Sequence, residues 1–272
     1  MSTGAPPQEQ LVDNPIALVI IAAVALFVLG RYAWRWRRES ALRSHAGDRG
    51  WRALDDTDGF AELVTHEFPE LRTEAEQEAR AARRSGMRQG GGPEINISIG
   101  SSAGVRSRAK ARSVYLVPVE GGEFAVGDVA VTGTTGKLSQ ARSTVHRGAV
   151  AARLSEELPP WKLVSRSWLD RDQASDLPQQ LQGSFNDVEG GADARAAYLD
   201  SGAWEALLDA PEETDGIAIE GDRLVLLSRK QLTPERVDAL ADTAQRLVAA
   251  ASTAGGGGLS SGARLSDPLS PR

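Results

Sequence analysis

The pattern of apolar and polar positions changes three times along the chain. From Pro15 to Gly30 the run PIALVIIAAVALFVLG is apolar on every side and carries no charge. A core helix keeps a polar face, so this pattern belongs to a helix surrounded by lipid. At 1.5 Å per residue the run covers about 24 Å, short of a hydrocarbon core of roughly 30 Å. Leu11 and Val12 extend it at one end. At the other, RYAWRWRR supplies Arg31, Tyr32, Trp34, Arg35, Trp36, Arg37 and Arg38, arginines able to snorkel and rings suited to the headgroup layer. The expected element is a transmembrane helix over 15–36 with these seven residues at the membrane interface.

Helical spacing continues through 37–93. In RGWRALDDTDGFAELVTHEFPEL the positions of Phe60, Leu63, Val64 and Phe68 predict a short amphipathic helix starting near Asp58. The following TEAEQEARAARR, residues 73–84, pairs Glu76 with Arg80 but offers almost nothing large to bury, so a solvated helix or flexible segment is expected. SGMRQGGGPE, residues 85–94, then breaks the chain.

From 94 to 251 alternation takes over. Candidate strands are Ile95–Ile99, Ser113–Val119, Glu123–Val131, Ser143–Arg153 and Trp161–Trp168, with a hairpin at Gly121-Gly122 and an edge or bulge at Pro118. Asp193–Ala210 reads as a helix that Gly202 kinks or divides. Gly216–Glu220 and Arg223–Ser228 read as two strands around a tight Gly221-Asp222 turn. Thr233-Pro234-Glu235 begins a last helix that repeats Val237, Leu240, Ala241, Ala244, Leu247, Val248 and Ala251 on one face. Residues 252–272 have the composition of a disordered tail. The fold class is α+β: an N-terminal transmembrane helix, then a mostly antiparallel sheet with packed helices, the C-terminal one included.

Charge orients the chain. Residues 1–14 carry Glu9 and Asp13 and no basic group, whereas 31–52 carry seven arginines against Glu39 and Asp48. The positive-inside rule therefore puts the N-terminus outside and the C-terminal domain in the cytoplasm of a single-pass cell-membrane protein. The net charge is −6 overall, which leaves the residues after 52 strongly acidic. Such a body is repelled by nucleic acid, so no nucleic-acid partner is expected. The lipid bilayer is the first partner, and another membrane protein or a cytoplasmic protein the next. With no cysteine, thiol chemistry and a zinc ribbon are excluded.

Motifs for chemistry are sparse. His45, His66 and His146 are not at metal-ligand spacing from one another, so neither a metal nor a catalytic role is expected for them. Gly133-Thr134-Thr135-Gly136-Lys137 imitates a phosphate loop, but Val131 and Leu138 stand where that motif needs Gly and Ser or Thr, so a loop leaving Val131 is expected. Trp161 and Trp168, seven apart on a strand, should face opposite ways, and with Trp204 they could line a pocket.

RGWR at 49–52, the segment ending at Pro69, GMRQG at 86–90, LPPWKLVSRSWLDR at 158–171 and IEGDRLVLL before a proline-started helix together resemble uncharacterised single-span membrane proteins of actinobacteria, a domain of unknown function. The resemblance spans most of 15–251 and implies a membrane-anchored α+β domain, with no activity attached. The expectation is a non-enzymatic binding or assembly module without catalytic residues or cofactor. The alternatives are a membrane-tethered enzyme with a dispersed polar site, first sought in Asp170–Asp187, and an anionic-lipid sensor working through the arginine collar.

Overall fold

A computed structural model describes residues 15–55, 57–89, 106–119, 122–135, 141–166, 168, 177–190, 196, 198, 200–210 and 213–254. The expected strand Ile95–Ile99, the outer segment 1–14 and the tail beyond Ala254 lie outside the described residues, as do Gly121 and Asp170–Asp176.

The apolar run opens α1, Pro15–Asp48, which continues straight through the collar for 34 residues, about 51 Å. This helix is long and apolar enough to cross a membrane, and none of its apolar window is buried in the protein. After it come β1 (Arg52–Ala53), α2 (Thr57–Glu67), α3 (Glu70–Gln89), β2 (Arg106–Val119), β3 (Gly122–Thr135) and β4 (Ala141–Ser165). Then follow α4 (Gln179–Gln182), β5 (Phe185–Glu189), α5 (Ala203–Leu208), β6 (Thr214–Ser228) and α6 (Pro234–Ala254).

The six strands form one antiparallel sheet in the order β1-β2-β3-β4-β5, with β6 lying along the other edge of β4. Alternation along each strand divides the core into two layers. One face takes Val150, Ala152, Leu163, Ile217, Ile219, Leu224 and Leu226, covered by α4, α5, α6 and the end of α1. The other takes Ala149, Ala151, Val164, Ala218, Val225 and Leu227, covered by α2 and α3. The domain is therefore helix, sheet, helix in three layers, as the α+β expectation requires.

The strands are longer than expected. β4 unites Ser143–Arg153 with the start of Trp161–Trp168 and pairs with β6 along most of its length, with register shifts between Arg153 and Leu158 and between Leu158 and Trp161. Pro159 and Pro160 fall in the second shift, where a missing N–H costs no ladder bond. β6 is also continuous: Gly221-Asp222 does not turn the chain back. Inward positions are Ile217 and Ile219 before the glycine but Leu224 and Leu226 after it. That one-residue change of phase, with Gly221 at φ +59° opposite Leu158, belongs to a β-bulge. A hairpin and a glycine bulge share the same local signature, and the long partner strand β4 decides between them. A Cβ at Gly221 meets nothing within 4 Å. Gly221→Ala is therefore expected to cost only the backbone strain, about 1–2 kcal/mol, read as a lower unfolding temperature, with Gly221→Asn costing less.

α3 corrects the expectation for 73–84. It docks through Leu71, Ala75 and Ala79 over β3 and β4 instead of standing in solvent. Small residues permit this because the facing strand is equally small at Gly133, which lies inside β3 and not in a loop leaving Val131. Pro118 is an edge residue, as expected: β1 covers only Tyr115 and Leu116 of β2. Gly202, at φ +78°, stands at the start of α5 and interrupts the expected helix there.

Candidate functional site

The arrangement that most distinguishes this chain is the root of α1, where a lipid-type helix enters the soluble core. Its outer two-thirds present Ile16, Ile20, Phe27, Tyr32, Trp34 and Trp36 to the surroundings. Arg31, Arg35 and Arg37 are exposed as well, with Arg35 pairing to Glu39 one turn on at 2.9 Å. Arg38 departs from the other six collar residues. It turns inward, its side chain 9% exposed, and its guanidinium meets the equally buried Asp128 carboxylate at 2.9 Å. The reason is helical geometry: four residues before Leu42 and eight before Ala46, Arg38 shares the face on which both are buried against the sheet.

Asp128 holds three elements together. Its Oδ2 pairs with Arg38, and its Oδ1 accepts the Leu232 backbone N–H at 2.8 Å, fixing the segment that leads into α6. Arg38 also donates to the Gln231 side-chain carbonyl, and its guanidinium lies 5.6 Å from the Trp34 ring centre. Burial pushes the Asp128 carboxyl up to about 6, against the pull of Arg38 and of the Leu232 N–H. His146, on β4, is held below its usual value by burial and by the arginines of the collar.

The helix then ends in a cap. Trp51 N–H donates to Ala46 O at 2.8 Å and Gly50 N–H to Gly47 O at 3.2 Å, with Gly50 at φ +69°. This is the Schellman pattern, in which a left-handed glycine closes the last turn. Two residues later Ala53 pairs with Tyr115, so only Arg49, Gly50 and Trp51 separate the helix from the sheet. His45 and Arg49 both reach Asp238 of α6, at 3.3 and 3.2 Å, and His45 packs edge-on against Trp51 at 5.0 Å between ring centres. A buried ion pair, a closed cap and a strand pairing thus fasten the helix to the sheet.

No protein-family profile matches the sequence, and no curated protein is similar to it. Among solved structures, the crystal structure of the mycobacterial trehalose monomycolate transport factor A, TtfA, is similar at 10% identity and a TM-score of 0.42, covering 78% of this chain and 93% of that one. At that score the likeness does not bear on function.

Further polar groups lie along the segment up to Asp187. A cleft of about 450 Å³ opens there between α4, α5 and the ends of β4 and β6, lined by Arg166, Gln180, Ser184, Phe185, Leu207 and Thr214 among others. No carboxylate or imidazole lines it among the described residues. Trp161 is fully buried and stacks on Tyr198 at 4.8 Å, on the face of α5 and α6. Trp168 follows β4 and reaches the opposite face, 6.1 Å from Phe68, where its indole N–H donates to Glu74. The two tryptophans do point opposite ways, but as packing, and nothing is described of the Trp204 side chain. Beside Trp168 a network ties Glu74, Arg147, Asp215 and Arg229 in series, at 2.7, 3.3 and 2.9 Å. Each of these charges has an opposite partner, which suits them to joining α3 to the sheet. Glu67 is different. Burial and the facing Glu220 carboxyl push it up to about 7, and His66 opposes them.

Sequence reasoning missed the Arg38–Asp128 pair and the buried Glu67. A signal existed for the first: in FAVGDVAV, Asp128 interrupts an otherwise apolar strand. Nothing local marks its partner, 90 positions away.

Proposed function

We propose that this chain is a single-pass membrane protein whose sheet domain, on the cytoplasmic side, is a non-enzymatic binding or assembly module coupled rigidly to its span. The observation that carries this reading is the continuity of α1, exposed and apolar at one end and built into the core at the other through Arg38, Leu42 and Ala46. A flexible tether would suffice to localise an enzyme. A rigid junction matters when a contact made in the membrane has to set the position of the domain. The orientation follows from the arginines after the span, and the partner of the outer face of α1 is a second membrane helix.

Two linked measurements test this. A reporter active only in the cytoplasm, fused after Ala251, is expected to be active, while one active only outside is expected to be silent. Photo-crosslinkers placed at Ile20 and Phe27 are expected to yield a discrete protein adduct. Activity of the outside reporter overturns the orientation. Adducts with lipid alone overturn the assembly role.

A further inference from the structure

We propose that His66, Glu67 and Glu220 form a binding site for a divalent first-row transition ion of the Zn²⁺ class, at the junction of α2 with β6. One ligand atom from each lies within 4.8 Å of the others. The two acids come from different elements: Glu67 ends α2, and Glu220 stands on β6 beside the Gly221 bulge, which re-aims the strand at that point.

The second observation is the state of Glu67. Its side chain is 3% exposed, and its Oε1 accepts no hydrogen bond. Among the described residues no lysine or arginine pairs with Glu67 or Glu220; the one basic neighbour is His66, whose Nδ1 is 3.4 Å from that Oε1. A buried carboxylate facing a second carboxylate is costly when both are ionised, unless a proton or a cation joins them. Elsewhere in this fold each buried acid near the sheet has such a partner, Asp128 in Arg38 and Asp215 in Arg147. Glu67 and Glu220 have no such side chain among the described residues.

The geometry fits the ion. A tetrahedral Zn²⁺ with bonds of about 2.0–2.1 Å holds its donors about 3.4 Å apart, and His66 Nδ1 and Glu67 Oε1 stand at 3.4 Å. One imidazole with two carboxylates suits Zn²⁺ or Mn²⁺ and disfavours Mg²⁺ and Ca²⁺, which take oxygen donors. His66 and Glu220 are exposed, so water has access to the fourth position. An ion bound there would fasten the end of α2 to the bulged middle of β6, and binding only the folded state it would raise stability.

The test uses the full chain in detergent micelles, stripped with a chelator. Zn²⁺ titrated by calorimetry is expected to saturate at one equivalent, unaffected by excess Mg²⁺, and to raise the unfolding temperature. Glu220→Gln changes an exposed side chain, so the fold is kept, and it is expected to weaken binding by at least roughly tenfold, since losing a ligand costs no less than losing an outer-shell partner. His66→Ala is expected to do the same, and both variants to lose the temperature shift. Co²⁺ in place of Zn²⁺ is expected to give the visible absorption of a tetrahedral site, lost in both variants. Saturation without change in Glu220→Gln and His66→Ala would place the ion elsewhere and overturn the proposal. So would the absence of saturable binding, which leaves a carboxyl pair sharing a proton.

Discussion

Arg38→Ala lowers the unfolding free energy of the full chain by about 3–5 kcal/mol at pH 8, the usual cost of removing one partner from a buried ion pair. The loss comes chiefly from what is left behind. Asp128 keeps its Leu232 N–H but is otherwise a buried carboxylate without its cation. It can escape that cost by taking up a proton, and the loss is therefore smaller at pH 5 than at pH 8. The wild type has a sign of its own to check. Its Asp128 carboxyl sits at about 6, above the ordinary 3.8 that the unfolded chain shows. Between those values the folded state holds a proton that the unfolded state has released. Stability from this group is thus fully present below about pH 4 and falls as pH rises to about 6, by on the order of 3 kcal/mol, and is flat beyond. Asp128→Asn keeps an acceptor for the Leu232 N–H and cannot titrate, so that slope disappears from its profile. Chemical denaturation in micelles at pH 4, 6 and 8 measures all three chains. An Arg38→Ala penalty independent of pH would mean that Asp128 is not the group left exposed to it.

The same pair shows why parts of this fold were legible in the sequence and others were not. A span, a capped amphipathic helix and a short run of small and β-branched apolar residues are local signals, and α1, α6 and the segment Phe124–Val131 follow them. What local pattern cannot supply is the partner. Gly221-Asp222 between two apolar segments has the chemistry of a tight turn, and only the 25 residues of β4 running alongside make it a bulge. Arg38 stands in sequence among residues of headgroup type, yet it shares a helix face with Leu42, which is buried. The charged cluster at His66, Glu67 and Glu220 joins positions about 150 residues apart through the sheet, and adjacent His and Glu at the end of a helix carry no signal of it.

α3 lacks the usual sequence sign of burial for a related reason, and its docking leads to the second large effect. Helix burial is usually recognised from large side chains, and Thr73–Arg84 has none. Close approach of backbones is the other way to exclude water, and it depends on what is missing. A Cβ at Gly133 would lie 2.2 Å from the Ala75 carbonyl oxygen and 2.5 Å from its carbonyl carbon. No rotamer relieves that overlap, because the obstacle is the helix backbone itself. Gly133→Ala must lift α3 from β3, opening the layer that holds Leu71, Ala75 and Ala79. The expected loss is about 3 kcal/mol, the upper end for overpacking, and a fall in unfolding temperature of roughly 6–12 °C for a domain of this size. Gly148→Ala is the comparison: its Cβ would meet the Leu232 side chain at 2.5 and 2.8 Å but main-chain atoms only at 3.0 Å, the Lys230 carbonyl oxygen. It should therefore cost less. Ala75→Gly should not rescue Gly133→Ala, since the clash is with main-chain atoms. Recovery in that double variant would show that α3 and β3 are separated by side chains, and that the helix is held by the Glu74–Arg147 and Glu70–Lys162 pairs alone.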